Sequence, residues 1–327
     1  MIFDQILFHN VEHMELTDKG YLMSRVPQYV REQLNETAKN SASFGGTGVE
    51  LRFKLKGDSA TVILHAAKIS TMEAPVIYIY YGSFQGGWEC SSRALVQGDN
   101  RIEIRKPENL EFLKELSKEK SLPFNPEVVR IVLPYSRTYY VGVEGEIEPP
   151  AKEDLPNRTY LAYGSSITHG SLALGTTYTY PFRLAQKLGC DYINLGMAGS
   201  AQMEAIMAEY IMSRKDWDFA TVEMGINMLE MDEELFEERV DKFTEILSAE
   251  TRPIRATSIY GFSNPKGQET GQKFRAIVEK YTKNRLEYVN GLELLDNPAY
   301  ISQDMVHPSL EGIGQIVENW YKILKNI

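Results

Sequence analysis

From Met1 to about Ile147, apolar positions recur with period two. Val49, Leu51, Phe53 and Leu55 alternate with Glu50, Arg52, Lys54 and Lys56, a pattern that predicts a strand with one face on a core and one in water. Lys56-Gly57-Asp58-Ser59 then turns the chain and Ala60 to Ala66 alternates again, so the two runs are expected to form a hairpin. Val76 to Tyr81, Cys90 to Val96, Arg101 to Arg105, Val128 to Leu133 and Tyr139 to Ile147 are further short runs, most of them separated by turn residues. Many short strands at this spacing point to an all-β sandwich or jelly roll. The charged stretch Glu108 to Lys120 reads as an exposed helix or long loop.

The polar, proline-rich segment Glu148 to Asn157 breaks this pattern, and the expected boundary divides a β-sandwich accessory domain at 1–150 from a second domain at 151–327. Beyond it, strands alternate with amphipathic helices. Thr159 to Tyr163, Asp191 to Leu195, Asp218 to Met224, Arg255 to Tyr260 and Leu286 to Val289 read as strands. Met203, Ile206, Met207, Tyr210 and Ile211 share one helical face, as do Phe236, Val240, Phe243 and Leu247. Further helices are expected at Arg183 to Leu188, Glu269 to Lys283 and Ser309 to Leu324. This alternation predicts an α/β domain, a parallel sheet with helices on both faces.

Composition narrows the function classes. The 327 residues are 43% hydrophobic and 24% charged, an ordinary globular balance. A formal net charge of -10 gives no electrostatic reason to expect nucleic acid or an anionic membrane as partner. Cys90 and Cys190 lie far apart, which suggests neither a disulfide framework nor a metal cluster and fits a reduced compartment. Met1 to His13 lacks the basic start and apolar core of a signal peptide, and no apolar run approaches a membrane span. The expected localisation is cytoplasmic. Two glycine-rich stretches, Phe44 to Gly48 and Gly82 to Gly87, lack the context of a phosphate-binding loop and read as turns. Tyr78, Tyr80, Tyr81 and Trp88 could line a sugar-binding face, but strands favour aromatics in any case, and packing is the expected role.

In a parallel sheet the residues that follow each strand share one edge, where ligands bind. Here those residues are Gly164-Ser165-Ser166, Asn194 to Ser200, Met224-Gly-Ile-Asn227 and, in the last loop, Asp304-Met-Val-His307. Acyl transfer by a serine needs a base, a group that orients the base, and donors for the developing oxyanion. Of the five histidines, only His169 and His307 fall in this half. His169 has no orienting carboxylate nearby in sequence and reads as a pocket or packing residue. His307 follows Asp304 by three residues, so the carboxylate can reach the ring; the competing readings are a solvent-exposed loop pair or half of a metal site.

Tyr163-Gly-Ser-Ser-Ile-Thr-His-Gly170, Asn194-x-Gly-x-x-Gly199, Gly225-x-Asn227 and Asp304-x-x-His307 occur in the order and approximate spacing of the SGNH, or GDSL-type, esterase and acylhydrolase superfamily, which the chain resembles from about Thr159 to its end. The resemblance implies a flavodoxin-like sheet and a Ser166 nucleophile with His307 as base and Asp304 as its orienter. It also implies an oxyanion hole made by the Ser166 N–H, the Gly199 N–H and the Asn227 side chain. Gly196 competes with Gly199 for that place. One departure stands at the turn: Gly-Asp-Ser is replaced by Gly164-Ser165-Ser166, which bears on loop support and leaves two serines to choose between. Register with Ile167, Thr168 and Gly170 favours Ser166. Met228 is a lesser departure, where many members carry an aspartate.

The two-domain resemblance implies a serine esterase that removes a short acyl group, acetyl by expectation, from a carbohydrate or other polar alcohol, with no metal or organic cofactor. Its partner would be a small-molecule or glycan ester. Two rivals stand beside it: a glycan-binding protein that has lost catalysis, and an acyltransferase using the same residues.

Overall fold

The computed structural model describes residues 1–67, 75–88 and 90–327. The first half builds two antiparallel sheets. One orders Ile2–Phe3, Ile6–His9, Glu50–Leu55, Val128–Val132, Val76–Tyr81 and Phe84–Gln85, with Ile147–Glu148 and Ser92–Ala94 pairing off this path. The other orders Gly98–Arg105, Ser59–Ala66, Thr138–Glu144, Gly20–Ser24 and His13–Thr17. Alternate residues of both, among them Leu51, Phe53, Val62, Leu64, Ile79, Ile104 and Ile131, meet in one buried core, which makes the pair a β-sandwich. The charged stretch forms a helix, Leu110–Glu119, whose buried residue is Ser117.

The expected hairpin does not form. Glu50–Leu55 pairs with Ile6–His9, Val128–Val132 and Ile147–Glu148, whereas Ser59–Ala66 pairs with Gly98–Arg105 and Thr138–Glu144 in the opposite sheet. The tight turn therefore carries the chain across the sandwich. Likewise Tyr139 to Ile147 is two strands in different sheets, parted at Gly145, where φ is +107°. Trp88 is fully exposed, against the packing expected of it, while Tyr80 and Tyr81 are buried.

At Glu50 and Arg52 the polar face of Glu50–Leu55 is not in water, because the second half of the chain covers it, while Lys54 remains partly exposed. Glu50 and Arg52 are 0% exposed, and Arg130 from the neighbouring strand lies beside them. Such charges tolerate burial only when paired, and the partners come from both halves of the molecule.

The second half is a parallel sheet with strands β1 (Thr159–Gly164), β2 (Asp191–Gly196), β3 (Phe219–Glu223), β4 (Ile254–Thr257) and β5 (Glu287–Val289), in the order 2-1-3-4-5. This is the flavodoxin-like order, in which the chain reverses direction of build between β1 and β3. Strand residues are buried on both faces. Leu161, Tyr163, Ile193 and Leu195 pack in one core with helices Ala205–Ser213, Glu233–Leu247 and Gln268–Thr282. Tyr160, Ala162 and Tyr192 pack in another with Tyr180–Leu188 and Leu310–Leu324.

Two short helices absent from the periodic pattern, Gln28–Arg31 and Glu36–Asn40, leave the sandwich and place Val26, Val30, Leu34, Ala38 and Ala42 in the first of these cores. Four or five residues are too few for a helical period to show, and the core they join is built mostly from residues more than 100 positions further along the chain.

Candidate active site

Strand β1 ends in Gly164, and its lack of a side chain is required. A Cβ there would lie 2.3 Å from Thr168 Oγ1 and 2.5 Å from Glu223 Oε2. Ser165 then caps the one-turn helix α1 (Ser166–His169), its hydroxyl accepting the Ile167 N–H at 3.1 Å. Gly170, at φ +100°, closes the turn by donating its N–H to the Ser166 carbonyl. Ser166 is thereby held at the first position of α1, 8% exposed, with its own N–H free of any acceptor among the described residues.

The loop before helix α2 (Leu310–Leu324) brings His307 to it. Ser166 Oγ and His307 Nε2 are 2.8 Å apart, and His307 Nδ1 is 2.5 Å from Asp304 Oδ2. A carboxylate at Nδ1 assigns the proton to that nitrogen and leaves Nε2 as acceptor for the serine hydroxyl. The other carboxylate oxygen accepts the N–H groups of Val306 and His307 at 2.9 and 3.0 Å, which closes the loop around Met305 at φ +64°. Burial works against the Asp304 charge, but the His307 hydrogen bond and the two backbone N–H groups outweigh it and hold the carboxyl below its ordinary value. The His307 side chain remains 21% exposed, so water can reach it.

Two further predicted residues stand at the same sheet edge. Gly225, at φ +120°, turns the chain after β3 into the short 3-10 turn Ile226–Met228. There Asn227 Oδ1 accepts the Ala201 N–H at 3.0 Å. That bond fixes the amide plane and leaves Nδ2 without an acceptor among the described residues. It also ties Asn227 to the loop that carries Gly199, which is exposed, at φ +66°, with an N–H that has no acceptor among the described residues. Gly196 is engaged otherwise. Its N–H donates to Asn194 Oδ1 at 2.8 Å, and a Cβ on it would lie 2.2 Å from the His169 backbone nitrogen.

His169 is buried, as a packing residue would be. Its Nδ1 accepts the Ala198 N–H at 3.2 Å and its ring stacks on Tyr135 with centroids 4.4 Å apart. Burial first, then the charge of Arg25, holds the ring well below the ordinary histidine value, so it is a neutral strut under the Gly199 loop. Met228 is buried as well.

Several residues that build the site have no sequence signal of their own. Arg25, from the sandwich half, is fully buried and donates to the carbonyls of Asn194 at 2.8 Å, Gly196 at 2.8 Å and Ala42 at 2.5 Å, with no carboxylate partner among the described residues. Burial pushes it down to about 10. Tyr135, also from the sandwich half, hydrogen-bonds Ser171 at 2.8 Å, five residues past Ser166. Glu223 ends β3 within a stretch, Asp218 to Met224, that reads from the sequence only as a buried strand. Beside Ala198 and His169 lies a cavity of about 150 Å³ whose other walls, Ser41, Gly45, Tyr135, Ser136 and Arg137, come from the sandwich half. Among the described residues no cluster of three or more His, Cys, Asp or Glu side chains could hold a metal ion, and no helix is long and apolar enough to cross a membrane.

The fold recurs in solved structures of low sequence identity. A salicylyl-acyltransferase from a tetracycline biosynthetic pathway superposes with a TM-score of 0.72 at 15% identity, covering 97% of this chain and 93% of that one. A family two carbohydrate esterase from Cellvibrio japonicus gives 0.64 at 13% identity, covering 99% and 95%. An acetyl xylan esterase from the rumen bacterium Butyrivibrio proteoclasticus gives 0.56 at 12% identity, covering 100% and 96%. No curated protein matches the chain by sequence. The profile of the GDSL-like lipase/acylhydrolase family matches residues 157–325, more than half of the chain and the whole of the segment that carries Ser166, Asn227 and the Asp304–His307 loop, so the chain belongs to that family.

Proposed function

We propose that the protein is a serine esterase that removes a short acyl group, acetyl in the first instance, from a carbohydrate or other polar alcohol. The observation that carries this reading is the unbroken hydrogen-bond chain from Ser166 Oγ through the His307 ring to Asp304.

In the proposed reaction Ser166 Oγ attacks the ester carbonyl while His307 Nε2 takes its proton. Asp304 stabilises the imidazolium without taking the proton itself. The N–H groups of Ser166 and Gly199 and the Asn227 amide NH₂, which have no acceptors among the described residues, receive the oxyanion. His307 then protonates the leaving alcohol, and the acyl-enzyme remains. Water entering at the exposed edge of His307 attacks the acyl carbonyl as Nε2 takes its proton, and His307 returns that proton to Ser166 Oγ as the acyl–oxygen bond breaks and the acid leaves. No step needs a metal or organic cofactor. The names of the carbohydrate esterase and acetyl xylan esterase neighbours lend the choice of a polar alcohol its support.

Hydrolysis of a chromogenic acetate tests the assignment. Ser166→Ala and His307→Ala should each lose roughly 10³-fold or more in kcat. Wild-type rates in both variants would remove the esterase reading, and sugar affinity without turnover or phosphonate labelling of Ser166 would favour a glycan-binding role. A second reading, acyl transfer to another alcohol, takes its support from the acyltransferase neighbour and uses the same residues. Products analysed in the presence of a sugar acceptor separate the two: free acid for the hydrolase, acylated sugar for the transferase.

A further inference from the structure

We infer that Glu223 is the positioning residue for the nucleophile, supplying from the neighbouring strand the carboxylate that the turn itself lacks at Ser165. The inference rests on Ser166 being the nucleophile, as proposed above.

Glu223 is 2% exposed at the end of β3, the strand paired with β1. No arginine, lysine or histidine forms an ion pair with it among the described residues; its partners are hydroxyls and one backbone N–H. Its Oε2 accepts the Ser165 N–H at 2.9 Å and the Thr168 hydroxyl at 2.9 Å, and its Oε1 accepts the Ser165 hydroxyl at 2.7 Å. Thr168 Oγ1 is in turn 2.9 Å from the Tyr180 hydroxyl. One carboxylate thus holds the residue before Ser166 and the residue two after it. Gly164 leaves the space in which these groups meet.

The consequence is geometric. The direction of the Ser166 N–H and the placing of its Oγ follow from the chain on either side: Glu223 holds the Ser165 N–H and hydroxyl before it and the Thr168 hydroxyl after it, and the Ser165 hydroxyl in turn accepts the Ile167 N–H. Ser165 is removed from contention as nucleophile by the same bonds, since its hydroxyl donates to Glu223 while accepting from Ile167. A buried carboxylate so placed must be worth its desolvation. Burial pushes the Glu223 carboxyl up, and three donors together with His307 work against that rise.

A carboxylate at position 165 would replace the Ser165 hydroxyl as acceptor for the Ile167 N–H and could reach the Thr168 hydroxyl, the two groups that fix the helix after Ser166. One acid at either place should then hold the turn, whereas two carboxylates within hydrogen-bond distance repel and none leaves the Thr168 hydroxyl without its charged acceptor.

The test is a double-mutant cycle on Glu223→Gln and Ser165→Asp, read by the rate at which a fluorophosphonate labels Ser166, by kcat and KM on a chromogenic acetate, and by thermal melting. Each single variant should lose about 10-fold or more in labelling rate and in kcat, with KM changed far less. The double variant should regain at least half of the loss on a logarithmic scale, since it restores a single carboxylate. Losses that multiply in the double variant, or a Glu223→Gln protein labelled at the wild-type rate, would overturn the inference. Melting temperatures identify any variant whose loss is mere unfolding, and a parallel cycle with Glu223→Asp and Ser165→Ala then replaces it: both should label slowly, with no rescue when combined. If wild-type Ser166 is not labelled, the nucleophile assignment has failed and this inference falls with it; labelling of the wild type without the rescue defeats the positioning role alone.

Discussion

Arg52 on the sandwich and Asp191 at the start of β2 face each other through two parallel hydrogen bonds of 2.5 and 2.7 Å, buried between the two halves of the molecule. Arg52 Nε also donates to Glu50 at 2.8 Å, and Glu50 receives Arg130 at 2.8 and 2.6 Å. The four side chains satisfy one another, which is the condition under which buried charge is tolerated.

Removing one member should therefore cost more than removing a matched pair. Arg52→Met leaves Asp191 without its ion-pair partner, held by the Tyr192 N–H at 2.8 Å and near His9 at 3.6 Å, and should lower stability by about 3–5 kcal/mol. Arg52→Met combined with Asp191→Leu should recover part of that loss. Urea unfolding of the three variants measures it, and additive losses would show that the pair does not couple.

Acid should loosen the same interface. Burial alone would raise the Glu50 carboxyl, but Arg130 and Arg52 outweigh it and hold it at about 2, and Asp191 is likewise held below its ordinary value, by Arg52 above all, against burial. A folded pKa below the unfolded one contributes stability that is fully present above the ordinary carboxylate range and lost as pH falls toward about 2. Wild-type stability should drop across that window, and the drop should be shallower in a Glu50→Gln/Asp191→Asn protein that still folds.

The two glycines of the β2 loop should respond differently. Gly196→Ala drives a methyl into the His169 backbone and must shift α1, so on the proposed function turnover of the chromogenic acetate should fall by about 10²-fold or more, with a loss of stability of about 1–3 kcal/mol. Gly199→Ala meets no neighbouring atom within 4 Å and pays only for its φ of +66°, about 1 kcal/mol. Similar effects in both would contradict the division between a packing glycine and a donor glycine.

If Asn227 donates to the oxyanion as proposed, Asn227→Ala should cost about 10²-fold or more in kcat, the usual loss for one such donor. Asn227→Asp keeps the acceptor for the Ala201 N–H but presents a second oxygen to the oxyanion, so it should be at least as damaging. Equal kcat in wild type and both variants would remove Asn227 from the site.

Asp304→Asn should be severe for a reason of its own. The amide can still accept the Val306 and His307 N–H groups, yet its NH₂ opposite Nδ1 favours the wrong imidazole tautomer; a loss on the order of 10³–10⁴ in kcat with an unchanged melting temperature is expected.

The linear pattern alone determined a good deal of this protein. Period two separated the sandwich from the α/β half, helical faces placed most of the later helices to within a few residues, and the strand-end blocks singled out Ser166, Asn227, Asp304 and His307 because chemistry needs those residue types at the carboxyl edge of a parallel sheet. What the pattern could not reach was everything set by one surface covering another. The alternation of Glu50 and Arg52 with apolar neighbours reads as a wet face in one dimension, and only the α/β half lying on that face makes it dry and demands Asp191 as a partner. The turn after Leu55 reads as a hairpin, but the pairing of each strand is decided by partners far along the chain. Arg25, Tyr135 and Glu223 carry no local signal for the same reason. Each acts on the site through contacts across more than 30 residues of sequence, and such contacts exist only after the chain has folded.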